Sequence, residues 1–347
     1  MHRAFRLAVA ALAAGSAACG PPARPVSGAS APDGTPRRPV ATYSIVARDS
    51  VTGEIGVAVQ SHWFSVGSAV PWAEAGVGAV ATQSFTDPSY GALGLELMRG
   101  GRSAPDALRG LVAADADSAV RQVAMIDARG RGAAFTGQRA IAAAGHRVGA
   151  GYSVQANLMN KPTVWPAMAR AYEGATGDLA ERLLQALEAA EREGGDIRGR
   201  QSAAILVVAA AGTGRPWADR LVDLRVEDHA APVAELRRLV TLSRLYRRMN
   251  EGDEWTTRGD LARAVAAYNR AIGLLPDSAT NGEAVFWTGI SLAAARRERE
   301  AIPYLARAYA VHPQWADLIP RLPDAGLLPQ DQALVKRLVS GMQRKAP

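Results

Sequence analysis

Cysteine, lysine and metal-ligand spacings are scarce in this chain of 347 residues, and each scarcity excludes a class of explanation. The one cysteine, Cys19, rules out an intramolecular disulfide. Five histidines without an HxxxH, HExxH or CxxC spacing give no metal signature. Gly149-Ala150-Gly151 lacks the strand-to-helix setting of a dinucleotide loop, and there is no GxSxG elbow, so no cofactor is expected. Lysine is confined to Lys161, Lys336 and Lys345, so nearly all of the 40 basic residues are arginine. The net charge of +7 is spread along the chain rather than gathered into a basic stripe interleaved with aromatics, which argues against nucleic acid as a partner. What remains is ordinary globular material, 48% hydrophobic and 21% charged, enough for two domains with cores of their own.

The chain opens with His2, Arg3 and Arg6 followed by the apolar run Leu7 to Ala14, the pattern of a secretory signal and too short to span a bilayer. Ser16-Ala17-Ala18-Cys19 places the cysteine where bacterial lipoproteins are lipidated, although Ser16 stands where leucine is usual. The expectation is an exported protein of the cell envelope, anchored to the membrane through Cys19; cleavage near Ala18 without lipidation is the alternative. Pro21, Pro22, Pro25, Pro32, Pro36 and Pro39 then mark a linker with little apolar mass to bury.

Folded structure begins with the runs Tyr43 to Ala47 and Ile55 to Val59, rich in β-branched residues, on either side of a polar turn in which Gly53 can take φ > 0. Gly76 to Ser84 reads as a small-residue strand that other backbone must approach closely. Helices follow at about Ala92 to Met98 and from the cap at Ser103 to Ala114. Strands are expected over Val120 to Asp127, Gly132 to Thr136 and Tyr152 to Met159, and helices over Val164 to Glu173 and Leu179 to Glu191. In the last of these, Leu179, Leu183, Leu184 and Leu187 form one apolar face. Ala203 to Ala209 is a buried strand with Val222 to Val226 as its neighbour, and Pro232 to Met249 is a long helix. Strand groups separated by helix pairs predict an α+β protein, an αββα sandwich, because each helix pair must bury its apolar face on a sheet.

The segments TYSIVARD, VTGEIGVAVQSHWF, VGSAVPWAEAGVGAVATQS, PSYG, AGHRVGAGYSVQANLM, GGDIRGRQSAAILVV and VDLRVEDH together resemble the DUF1028 family, over about Thr42 to Arg248. The resemblance implies a fold like that of the N-terminal nucleophile (Ntn) hydrolases. In that superfamily the hydroxyl or thiol of the first residue attacks an amide and its own α-amine serves as base. Thr42 matches the threonine that many members expose on losing their initiator methionine. Here it follows a leader and linker. Cleavage between Ala41 and Thr42 would free the amine, whereas an intact chain from Cys19 would leave an amide and make Thr42 a strand opener. The lysine of proteasome-like relatives has no counterpart, since no lysine precedes Lys161.

Asp196 and Ser202 weakly resemble the residues that support the nucleophile, and with Thr42 they make up the expected catalytic set. Arg198, Arg200, His62, Gln83, Ser84 and Asp87 are candidate substrate contacts, with His146 and Asn157 as weaker candidates. Each has a structural alternative: an Asp–Arg network holding a loop, a hydrogen-bonded strand end for His62, a turn before Pro88 for Asp87. Beyond residue 249, Tyr268 and Tyr304 recur at close to the tetratricopeptide period of about 34 residues.

The sequence thus divides into a leader over 1–19, a linker over 20–40, an Ntn-like αββα domain over 41–249 and a tetratricopeptide-like helical module over 250–347. Two functions compete. One is hydrolysis of a peptide or acylated amine. The other is non-catalytic binding, with the sandwich cleft and the helical repeats recruiting a protein partner. Homo-oligomerisation is a third expectation.

Overall fold

The computed structural model describes residues 42–345, so the leader, Cys19, the linker and Ala41 lie outside the described residues. The described part is α+β. Strands β1 (Thr42–Arg48) and β2 (Ile55–Ser61) form the expected hairpin, in register from Thr42 opposite Ser61 to Arg48 opposite Ile55. Its turn is built on Asp49, whose Oδ1 accepts from the backbone N–H of Val51 and of Thr52, both at 2.8 Å, and Gly53 takes φ 77°.

The next strands form a second sheet: β3 (Pro71–Glu74), β4 (Gly78–Ser84), β5 (Arg121–Asp127) and β6 (Gly132–Thr136), in that spatial order. Two further hairpins, β7 (Gly145–Gly149) with β8 (Tyr152–Asn157) and β9 (Ser202–Val208) with β10 (Arg220–Val226), complete the first sheet in the order β10-β9-β2-β1-β8-β7. Every described pairing is antiparallel. The stretch Gly145 to Gly149 is the edge strand β7, with its middle residues exposed.

Helices α1 (Ser89–Arg99) and α2 (Ala104–Ala114) cover the outer face of the four-stranded sheet, where Tyr90, Leu95 and Leu108 pack with Val80, Val123 and Met125. On the outer face of the six-stranded sheet lie α3 (Val164–Gly174) and α4 (Leu179–Arg192). Leu179, Leu183, Leu184 and Leu187 of α4 are all fully buried there, as their spacing predicts, each contributing about 1.5–3 kcal/mol relative to exposure. A third apolar cluster, including Val46, Val57, Ala79, Ala124, Ile126 and Leu206, fills the space between the sheets. The layers are therefore helix, sheet, sheet, helix.

After the one-turn α5 (Pro216–Asp219), helix α6 (Pro232–Thr257) buries Val233, Leu236 and Val240 in the sandwich core and continues through residues 249 and 250 to Thr257. There Leu245 and Met249 meet Ala271 of α7 (Leu261–Ile272) and Ala284 of α8 (Glu283–Ala294). Helices α9 (Glu298–Val311), α10 (Trp315–Leu318) and α11 (Gln332–Lys345) close a helical core around Phe286, Leu305, Ile319 and Leu338. Tyr268 packs inside, 1% exposed, with its hydroxyl donating to Asp253 Oδ1 at 2.6 Å, so it does not line an open groove. Tyr304 is at the surface side, donating to Asn269 Oδ1 at 2.9 Å. No helix of the described residues is long and apolar enough to cross a membrane.

Candidate functional site

Strand alternation assigns each side chain to a face. In β1, Tyr43, Ile45 and Ala47 join the helix-side core, while Thr42, Ser44 and Val46 turn toward the other sheet. The inter-sheet space is apolar around Val46 and Val57 but becomes polar toward one end. There the start of β1, the end of β2, the end of β4, the start of β5, the end of β8 and the start of β9 come together. Thr42, Ser44, Ser61, Gln83, Gln122, Gln155, Asn157 and Ser202 lie at this end, none more than 1% exposed.

Burial obliges these groups to find hydrogen-bond partners, and they find one another. Thr42 Oγ1 donates to Ser61 Oγ at 3.2 Å. The Thr42 carbonyl accepts from Gln83 Nε2 at 3.2 Å and from Asn157 Nδ2 at 3.5 Å. Gln83 Nε2 also donates to Gln122 Oε1 at 2.7 Å, and Gln83 Oε1 accepts from Ser44 Oγ at 2.6 Å. Ser44 in turn accepts from Gln155 Nε2 at 2.5 Å. Asn157 Nδ2 reaches Gln122 Oε1 at 3.0 Å, and Gln122 Nε2 donates to the Ala156 carbonyl at 2.9 Å. The result ties the first residue of β1 to both sheets through neutral amides and hydroxyls.

The other residues singled out in the sequence divide into members of this network and supports around it. Gln83 and Asn157 are inside it. Ser84, next to Gln83, is fully buried at φ 72°, strained backbone for a serine, and its hydroxyl makes no hydrogen bond among the described residues. Ser202 pairs in register with Ser61, but its hydroxyl accepts from the Val66 N–H at 3.0 Å and donates to the Trp63 carbonyl, so it holds the chain leaving β2.

Asp196 does the same from the next loop. Its carboxylate accepts from the His62 N–H at 3.0 Å, the Arg198 N–H at 2.9 Å and the Arg198 guanidinium at 2.9 and 3.2 Å. His62 Nδ1 lies 3.4 Å from the Arg200 carbonyl. Asp196, Ser202, His62, Arg198 and Arg200 are thus brought together around the end of β2; the described side-chain hydrogen bonds of Ser202 go to the chain after β2 and those of Asp196 to His62 and Arg198, rather than to Thr42. Asp87 accepts from the Ser89 N–H at 2.9 Å and starts α1. His146 stands apart at the edge strand, with its Nδ1 2.8 Å from Thr136 Oγ1.

Sequence reasoning missed Ser44, Gln122, Gln155 and Arg121. The signal that could have found the first three is a polar residue at an inward position of a strand otherwise small or apolar, as in TYSIV, RQVAM and SVQAN. Arg121 is opposite Ser84 in register and its side chain is 9% exposed. It donates to Asp115 Oδ2 at 2.8 Å and to the Phe85 carbonyl at 2.6 Å. Burial pushes the Asp115 carboxyl up, but hydrogen bonds from Arg121 and from the Asp117 N–H outweigh it and hold the group below the usual range. Among the described residues no group of three or more His, Cys, Asp or Glu side chains is placed to hold a metal.

Fold and site together define an α+β protein whose paired antiparallel sheets enclose a polar cluster at one end. The model of DUF1028, a family of unknown function, matches residues 42–236, and the chain belongs to that family. A crystal structure of a DUF1028 protein from Silicibacter pomeroyi is similar, with 32% sequence identity and a TM-score of 0.53 over 58% of this chain and 84% of that one. No curated protein matches the chain.

Proposed function

We propose that this protein is an amide-bond hydrolase of the N-terminal nucleophile type, with the sandwich as its Ntn-like catalytic domain and Thr42 as its nucleophile after cleavage between Ala41 and Thr42. The observation that carries this reading is the concentration of hydrogen bonds on the first residue of β1: Ser61 at its hydroxyl, Gln83 and Asn157 at its carbonyl. Positioning of this kind is what an attacking group requires. The family match also begins at residue 42.

In the proposed reaction the Thr42 hydroxyl oxygen attacks the carbonyl carbon of a peptide or acylated amine, and its proton passes to the Thr42 α-amine. That amine protonates the departing nitrogen as the C–N bond breaks. Water, activated by the same base, then cleaves the ester and releases the acid. A free α-amine has a pKa of roughly 7.7–8.0, suited to this work near neutrality. Ser61, Gln83 and Asn157 act as positioning residues.

The reading places the protein in the cell envelope, where the Cys19 tether and a free Thr42 amine are alternatives for any one polypeptide. The helical region, read as tetratricopeptide-like, would dock a protein partner near the sandwich. Intact mass and terminal sequencing of the native protein test the central step, with a chain starting at Thr42 expected in the active fraction. On a panel of acylated amines, Thr42→Ala is expected to lower turnover on the order of 10³-fold or more with the fold retained. Undiminished turnover in that variant would remove Thr42 from the mechanism.

A further inference from the structure

On the opposite face of β1 and β2 from Thr42, one residue along each strand, lies a pocket of about 240 Å³. Its inner wall is the cross-strand pair Tyr43 and Gln60, and Glu191 near the end of α4 faces them. Gln60 is fully buried, yet neither its Nε2 nor its Oε1 has a hydrogen-bond partner among the described residues. A buried primary amide with both ends unmet is a costly arrangement that native structures keep for a reason. Glu191 Oε1 is likewise buried without a hydrogen bond, its nearest cation being Arg200 Nε at 3.5 Å. The Tyr43 hydroxyl stands beside that carboxylate without meeting hydrogen-bond geometry. Burial pushes both groups up, Glu191 against the opposing pull of Arg200 and Tyr43 further through the charge of Glu191.

The rim differs from the floor. Arg198 is engaged by Asp196, whereas the Arg200 side chain is half exposed and among the described residues has only the long contact to Glu191. The pocket therefore offers a neutral donor and acceptor side by side at its deep end and a guanidinium at its mouth. We propose that it binds a short carboxamide carrying an anionic group at its other end. The ligand amide would pair with the Gln60 amide through two hydrogen bonds, donate its remaining N–H to Glu191 and accept from the Tyr43 hydroxyl. Its anionic end would meet Arg200. This site is separate from the proposed hydrolysis, since it lies on the other face of the sheet and needs no cleavage at Thr42.

The probe is succinamate, with acetamide and acetate as its two halves, titrated into the full chain by calorimetry and ligand-observed NMR. Saturable binding of succinamate is expected at roughly millimolar concentration, tighter than that of either half. Gln60→Met, which replaces the unmet amide with an apolar chain of similar size, is expected to weaken binding roughly tenfold or more while the protein stays folded. Arg200→Gln, at the exposed rim, is expected to weaken succinamate binding severalfold and leave acetamide binding unchanged. Absence of saturable succinamate binding would overturn the proposal, as would affinity unchanged from the parent in both variants. Should Gln60→Met fail to fold, the Arg200→Gln comparison decides alone. The readout is binding, so its result is independent of whether Thr42 turns anything over.

Discussion

Replacing Gln83 with alanine removes a side chain that bonds to both sheets at the Thr42 end. Four described partners are affected, the Gln155 carbonyl least, its contact being 3.5 Å long. Ser44 loses the acceptor of its hydroxyl proton at 2.6 Å, and that proton has no other described acceptor. Gln122 Oε1 loses a donor at 2.7 Å but keeps Asn157 at 3.0 Å. The Thr42 carbonyl loses its 3.2 Å donor and keeps the longer one from Asn157. One orphaned buried donor costs about 1–3 kcal/mol and each of two weakened acceptors about 0.5–1.5 kcal/mol, so the loss is about 3–7 kcal/mol once about 1 kcal/mol for the vacated volume is added. Gln83→Met keeps the volume and forfeits the same bonds, and it should fall about 1 kcal/mol short of the alanine variant. Urea unfolding followed by tryptophan fluorescence and far-ultraviolet circular dichroism measures both. A loss below about 1 kcal/mol in Gln83→Ala would show that the remaining groups satisfy one another without it, and the account of a mutually dependent network would fail.

Two other perturbations test separate parts of the structure. At Gly252 in α6 an added Cβ would meet the Tyr268 ring at 2.3 Å, so Gly252→Ala sets a helix-propensity gain of about 1 kcal/mol against overpacking of about 1–3 kcal/mol. Net destabilisation is expected by urea unfolding, and a more stable variant would mean the ring moves freely. Burial raises the Glu191 carboxyl above its unfolded value, so the folded state holds that proton more tightly. Its stabilising contribution is present below the unfolded pKa and lost as pH rises through the folded one. Glu191→Gln, a permanent stand-in for the protonated acid, should therefore gain Tm over the parent as pH rises from the acid side toward neutrality; a Tm difference constant with pH would refute the assignment.

The strands that position Thr42 were legible because their β-branched runs and turns are local signals, and α4 because four leucines repeat on one face. The polar network was only partly legible. Alternation tells which face Gln83, Gln122 and Gln155 occupy, but the meeting of three strands from two sheets depends on pairings that no local window contains. Ser202 and Asp196 are expected partners of Thr42 because they weakly resemble residues that support the nucleophile. The structure puts them at the Thr42 end but directs their hydrogen bonds into the loop after β2 and, for Asp196, onto Arg198. Tyr268 and Tyr304 share a spacing without sharing an environment, since repeat period does not report burial.

Helix α6 is one unbroken rod of 26 residues, roughly 39 Å long at 1.5 Å per residue, rooted at one end in the sandwich core and at the other among α7 and α8. A rod shared by two cores acts as a lever. Any weight placed on the helical array is felt where Val233 and Leu236 lie with Val222 and Val226 of β10, unless the rod itself bends. The two halves of the chain therefore cannot swing like beads on a string; what tilts one tilts the other.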